Sequence, residues 1–277
     1  RVGNLIVGED GLRAVLDWEL AHLGDPLEDL GWLCVRAWRF GGAGEVGGFA
    51  ALDELVDAYA EATGTAVDLN DVRWWIVAGT LTWGLICAVQ ARRHLDGHVS
   101  SVELATIGRR VCETEYDLLH LLGIGDLPGG DPAGGVHPAA SIHGRPTAAE
   151  LVDAVRSHLL HEVAPSQDGA ASFALKVAVN ALSMVERELT LRPHRDADVA
   201  LRLASREIAN ETELAAAIRR RELGPDQADV AAVVRALVLD RVRVANPKWL
   251  LPPDRQGATS TGSRRDQWAK DQVPPSR

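Results

Sequence analysis

The sequence predicts a mainly α-helical chain that opens on a β-hairpin and closes in a small antiparallel helical bundle. Three observations predict it. Two short apolar runs, Leu5-Ile6-Val7 and Ala14-Val15-Leu16, flank Gly8-Glu9-Asp10-Gly11, a turn signal between strands. Beyond the hairpin, apolar residues recur at helical spacing. A Gly-, Pro-, Ala- and Asp-rich stretch, residues 125–146, reads as a linker between two helical parts.

One plausible register of the hairpin centres the turn near Asp10 and pairs Asn4 with Asp17. Paired Cα atoms lie about 4.5–5.5 Å apart, so an amide oxygen and a carboxylate would stand side by side at the open end of the ribbon. Asp25-Pro26 and Asp29 then open a helix through Gly31-Trp32-Leu33-Cys34-Val35, where acids suit the helix dipole. Residues 41–48 are glycine-rich, but no Gly-Lys-Ser/Thr follows, so they read as a flexible connection and not a phosphate loop. Phe49, Leu52, Leu55, Val56 and Tyr59 mark an amphipathic helix. Asn70-Asp71 starts an apolar helix that ends near Arg92-Arg93-His94. Its apolar run, residues 74–89, spans about 24 Å, short of the ~30 Å hydrocarbon core, which favours a buried central helix over a membrane span. One further helix is expected over residues 101–122.

After the linker, Thr147-Ala148-Ala149-Glu150 is a capping box. It opens a helix that Pro165 ends. A second helix is expected over residues 170–191, stopped by Pro193, and a third segment over 197–208. Asn210-Glu211-Thr212-Glu213 caps a short helix, and Val230, Val233, Val234, Leu237, Val238 and Val242 face one side of a last one. Short loops and one apolar face per helix argue for a bundle. Residues 252–277, rich in Arg, Asp, Ser, Gly and Pro, read as a disordered tail.

Composition narrows the function classes. The net charge of −10 argues against a general nucleic-acid or anionic-membrane binder. The three cysteines, Cys34, Cys87 and Cys112, are widely spaced in apolar surroundings; reduced, buried thiols in a cytoplasm fit them best. Of the eight tryptophans, Trp18, Trp32, Trp74 and Trp75 are candidates for the wall of a cleft, with core packing as the plainer reading.

Chemistry concentrates at the hairpin. Asn4 and Asp17 are two hard oxygen ligands, which suit Mg²⁺. Arg1-Val2-Gly3-Asn4, Asp17-Trp18-Glu19, Gly24-Asp25-Pro26 and Asp29-Leu30 follow one another in an order that resembles the catalytic loop and metal-binding exit of the aminoglycoside phosphotransferase-like family. The closest resemblance is to the group related to the kinase-like part of acyl-CoA dehydrogenases. It implies that residues 1–124 are the C-lobe portion of a kinase-like fold. Mg²⁺ and ATP would be the cofactors and a small-molecule hydroxyl the acceptor. Asn4 and Asp17 would hold the metal, Glu19, Asp25 and Asp29 would support it or the local fold, and the tryptophans would shape the acceptor site. By the family pattern the acceptor-orienting Asp lies two positions before Arg1, and the nucleotide-gripping lobe lies further upstream. The resemblance therefore places no catalytic base in this chain and implies that the chain alone does not transfer phosphate.

Residues 147–251 resemble an uncharacterised helical domain joined to such phosphotransferases, through Lys176-Val177-Ala178-Val179-Asn180-Ala181-Leu182, Val185-Glu186-Arg187-Glu188-Leu189 and Leu239-Asp240-Arg241-Val242 with Ala245-Asn246-Pro247. Asn180, Glu186 and Arg187 are mid-helix polar groups expected to make interhelical hydrogen bonds or a surface salt bridge, with a ligand or docking site as the alternative. The competing function is a non-catalytic interaction protein in which this bundle binds a protein partner and the first part is a remnant. A hydrolase built on Asp25, Glu28 and Asp29 is the weakest reading, since helix capping explains those acids more simply.

Overall fold

The computed structural model describes residues 1–124 and 147–251, apart from the side chains of residues 192–194. The expected linker, 125–146, and tail, 252–277, lie outside the described residues.

Strands β1 (Leu5–Gly8) and β2 (Gly11–Val15) form the hairpin. Leu5 pairs with Val15 and Ile6 with Ala14; a bulge then brings Val7 to Leu12 and Gly8 to Gly11. This register differs by one from the expected one. The tip is the two-residue Glu9-Asp10, and Arg13 Nε donates to Asp10 Oδ1 at 2.8 Å, which fixes that short turn.

Helices α1 (Leu27–Cys34), α2 (Leu52–Thr63), α3 (Leu69–Leu95), α4 (Val102–Gly108) and α5 (Val111–Leu121) complete the first part. α3 is its axis, with α1, α4 and α5 packed along it. The approach of α1 is close enough that a Cβ on Gly31 would come within 2.6 Å of the Trp75 backbone. Among the described residues α3 is the one helix long and apolar enough to cross a membrane. Its inner face, Val72, Ile76, Gly79, Thr80, Gly84 and Cys87, is buried in the fold. The expectation of a buried central helix holds for that face alone, because Trp74, Leu81, Leu85 and Val89 form an exposed apolar stripe.

Two other expectations are corrected. The glycine segment is pinned: Gly44 and Gly48 pair across it, Gly47 N–H donates to Leu33 O, and Val46 is buried in the core with Cys34, Leu52 and Val72. Gly48 has φ +89°, and a Cβ there would stand 2.3 Å from Arg39 O, so the tight fold of the loop requires glycine. The single helix over 101–122 is two, broken at Arg109-Arg110. Gly108 ends α4 where a Cβ would meet the Ala91 side chain at 2.5 Å. α5 then packs both on α3 and on the C-terminal part, a contact that the unbroken apolar periodicity conceals.

The second part comprises α6 (Ala148–His158), α7 (Gly169–Ala204), α8 (Glu211–Arg219) and α9 (Ala228–Ala245). The capping box at Thr147 and the Asn210 cap both form. α7 is one helix of 36 residues and not two, running through Pro193. Proline lacks one backbone donor and disfavours a helix interior. Here the far end of α7 is held by tertiary contacts: Arg195 pairs with Asp240 at 2.9 Å, and Leu203 is buried with Leu214 and Leu237. The interhelical bonds expected of Glu186 and Arg187 are present. Arg156 Nε donates to Glu186 Oε2 at 3.2 Å, and Arg187 Nε donates to Val244 O at 2.7 Å, capping the end of α9.

The two parts share a core. Cys112 and Leu119 of α5 are buried with Val238, Leu239, Val242, Ala245 and Leu250. All three cysteines are free and buried. Burial pushes the Cys34 thiol up to about 11 and those of Cys87 and Cys112 to about 12. A disulfide-exchange reagent at pH 8 is therefore expected to titrate no thiol in the native protein and all three after unfolding, read by absorbance.

Candidate functional site

At the open end of the hairpin the chain makes a tight turn at Val2–Asn4 before β1. The Asn4 carbonyl accepts from Leu16 N–H at 2.8 Å, which closes the ribbon one pair beyond Leu5 and Val15. Asp17 follows with φ +67°, a left-handed conformation uncommon for a residue with a side chain and tolerated best by Asn and Asp. The turn restores what the shifted register would have lost. Asn4 Nδ2 donates to Asp17 Oδ2 at 2.8 Å, so the two predicted ligands meet side chain to side chain. Arg1 Nη2 stands 3.8 Å from the same carboxylate oxygen, and the Asp17 side chain is 41% exposed.

The supporting acids have separate places. Asp25 Oδ1 accepts from Leu27 N–H at 2.9 Å and caps α1, the plainer of its two expected roles. Asp29 lies exposed in the first turn of α1. Glu19 is exposed two residues beyond Asp17, and no hydrogen bond joins it to Asn4 or Asp17. The segment between is anchored by His22, whose Nδ1 meets Leu20 O at 2.9 Å and whose Nε2 meets Glu28 Oε2 at 3.1 Å. Those contacts, the backbone one foremost, raise the His22 pKa. Among the described residues no three His, Cys, Asp or Glu side chains gather as a metal site.

The four tryptophans named from the sequence divide. Trp32 packs on Trp38 with ring centroids 5.4 Å apart, and Trp38 meets Trp83 at 4.7 Å. Trp74 and Trp75 stack edge to face against each other at 4.7 Å. Trp18 is 68% exposed and donates its Nε1–H to Val15 O at 2.8 Å. Trp38, which is buried, reaches the mouth of the hairpin through Arg1, whose guanidinium covers its ring at 5.4 Å from the centroid. Trp38 sits in a tight turn, Arg36–Trp38, that carries no periodic signal, so composition alone did not single it out.

A second polar cluster was not anticipated. Asp117 on α5 is 7% exposed. Its Oδ1 accepts from Arg36 Nη1 at 2.8 Å and from Trp249 Nε1 at 3.1 Å. Arg36 Nη2 donates to Trp249 O at 2.8 Å while its guanidinium lies over the Trp249 ring at 4.5 Å. Glu113 joins Arg110 at 3.1 Å to Asn246 at 2.9 Å. These contacts lock the first part to the last turn of the second. A sequence separation of 213 residues between Arg36 and Trp249 leaves no local signal.

Two stretches of the chain match known family models. Residues 1–75 match the model of the phosphotransferase enzyme family (APH), which supports a kinase-like phosphotransferase origin for the part that carries Asn4 and Asp17. Residues 165–249 match a domain of unknown function (DUF6285). Neither the curated proteins nor the solved structures include a significant match.

Proposed function

We propose that this chain supplies the metal-binding side of an ATP- and Mg²⁺-dependent phosphotransferase that passes the γ-phosphate to a hydroxyl of a small molecule. The observation that carries the reading is the contact between Asn4 and Asp17, 2.8 Å across the mouth of the hairpin. Both offer hard oxygen donors, and the exposure of Asp17 leaves room for water and phosphate oxygens, as Mg²⁺ requires. The residues fit the ion, with Asn4 and Asp17 as its protein ligands. When bound, Mg²⁺ neutralises charge on the nucleotide phosphates. Asp25 and the His22–Glu28 pair hold the segment after Asp17 against α1, so the carboxylate is presented from an anchored strand end. Arg1 adds positive charge beside the same carboxylate.

The match of residues 1–75 to the phosphotransferase family supports the same reading. Its test is Mg²⁺-dependent ATP binding by the product of the whole coding sequence, including whatever precedes Arg1. Replacing Asp17 with Ala is expected to weaken binding at least ~tenfold, since one charge-assisted contact is lost. The melting temperature should fall by no more than about 5 °C, because Asp17 is exposed and the cost is confined to an Ala in the left-handed turn at φ +67°. ATP binding indifferent to both Mg²⁺ and Asp17 would sink the proposal.

A further inference from the structure

Between the first part and the last turn of the second lies a cavity of about 400 Å³. Arg36, Arg39 and Arg110 line it from one side, and Asn246, Lys248 and Trp249 from the other. Among the described residues no carboxylate lines it. Asp117 and Glu113 stand behind it, each bonded to one arginine, Arg36 and Arg110 respectively. Arg39 and Lys248 make no ion pair among the described residues. Arg39 Nη2 donates to Cys34 O at 3.1 Å, and its Nε is buried with no hydrogen-bond partner among those residues. Four cations thus face the space; two of them are paired directly with carboxylates, and Arg39 feels the charge of Glu45 without an ion pair.

In a chain of net charge −10 this is a local reversal of sign, and a recessed cluster of one sign concentrates counter-ions. Guanidinium forks, an ammonium and an amide N–H₂ are the donors that phosphate oxygens take. The volume falls in the range of small-molecule sites and is too small for a nucleic-acid groove. The cavity also adjoins the hairpin. Phe40 lines it, and the Phe40 ring edge lies 4.0 Å from where Gly3, the neighbour of Asn4, would carry a Cβ.

We propose that this cavity docks a phosphate-bearing small molecule, which the phosphotransferase reading, if it holds, makes the acceptor of the transfer. Both parts of the chain contribute cations, so the site exists only where the C-terminal domain is seated on the first part.

The test uses the whole protein and two probes, inorganic pyrophosphate without Mg²⁺ and Mg²⁺·ATP, titrated by calorimetry. Lys248→Glu changes an exposed side chain and is expected to weaken pyrophosphate binding roughly tenfold while leaving Mg²⁺·ATP binding within about twofold. Lys248→Gln should show a smaller loss in the same direction, and it answers the question if the charge reversal disturbs folding. Asp17→Ala should leave pyrophosphate binding unchanged. Pyrophosphate affinity equal in wild type and both Lys248 variants overturns the site, whatever ATP does. So does equal weakening of both probes, which would make the cavity part of the nucleotide site. Mg²⁺·ATP binding that ignores Asp17, beside pyrophosphate binding that needs Lys248, refutes the phosphotransferase reading and the acceptor role and leaves the anion site standing.

Discussion

Replacing Asp117 with Ala is expected to destabilise the protein by about 3–5 kcal/mol, the range for breaking a buried ion pair from one side. The cost arises from what remains. Arg36 is 19% exposed and would keep its charge without its carboxylate, and Trp249 Nε1 would lose its acceptor. Urea unfolding at pH 7.5 measures it, with a fall of about 10 °C or more in melting temperature as the cruder readout. A double variant with Arg36→Met should recover part of the loss, since no unpaired charge is then buried. A loss below about 1 kcal/mol would mean that water reaches the cluster.

The same residue carries a pH signature. Burial, outweighing the pull of Arg36 and the hydrogen bond from Trp249, pushes the Asp117 carboxyl up from 3.8 to about 6. Between those values the native state holds a proton that the unfolded chain has released. Stability from this group therefore falls as pH rises from about 4 to about 6 and is level above. Asp117→Asn removes the titration. The stability of wild type relative to that variant is expected to fall by about 3 kcal/mol across the window, from a shift near two units. Unfolding curves of both proteins at pH 4, 5, 6 and 7 read the difference directly, with all other titrations cancelling.

Leu239→Ala is the second large effect. Leu239 is 6% exposed on α9 and belongs to the core that α5 contributes to through Cys112 and Leu119. Truncation there removes buried methyl groups and leaves a cavity, for about 2–5 kcal/mol. The more telling result is how the loss is distributed. Six of the eight tryptophans, Trp18, Trp32, Trp38, Trp74, Trp75 and Trp83, lie in the first part and dominate the fluorescence once Trp249 is replaced by Phe in both proteins compared, whereas far-UV circular dichroism reports helices throughout. A shared core predicts that tryptophan fluorescence and dichroism shift together and remain coincident. Separate transitions, with fluorescence unmoved by the variant, would show that the contact between the parts is weak.

Local chemistry was legible where a signal is confined to a few neighbouring residues. The Gly8–Gly11 turn, the Thr147–Glu150 capping box and the Asn210 cap each depend on bonds within three or four residues, and each formed as read. Arg187 was legible as an interhelical residue because a long cation in mid-helix needs a distant acceptor, although not that the acceptor would be the end of α9. The pair Asn4 and Asp17 came from motif order, and they do meet, yet by a route the sequence hid. The bulge shifts the register by one, and the left-handed turn at Asp17 brings the carboxylate back. A one-residue slip is invisible in so short a ribbon because nothing buries either face strongly: Ile6, Val7, Leu12 and Val15 are all exposed.

Helix limits failed where tertiary contacts overrode local preference. Pro193 reads as a stop, but contacts from Arg195 and Leu203 hold the helix beyond it. The break at Arg109-Arg110 separates α4, which packs on α7, from α5, which packs on α9, and both partners lie far along the chain. The cationic cavity illustrates the same limit, because its arginines and its lysine are more than 130 positions apart at the nearest, Arg110 and Lys248.

By itself the sequence determined the helical class, the opening hairpin and the caps, because backbone propensity and hydrogen bonds between near neighbours set all of these. Only the tertiary structure decided that α5 and α9 share one core, that Asp117 joins Arg36 to Trp249, and that four cations converge on one space. Those outcomes depend on burial and on charges brought together from distant positions, and neither exists until the chain has folded.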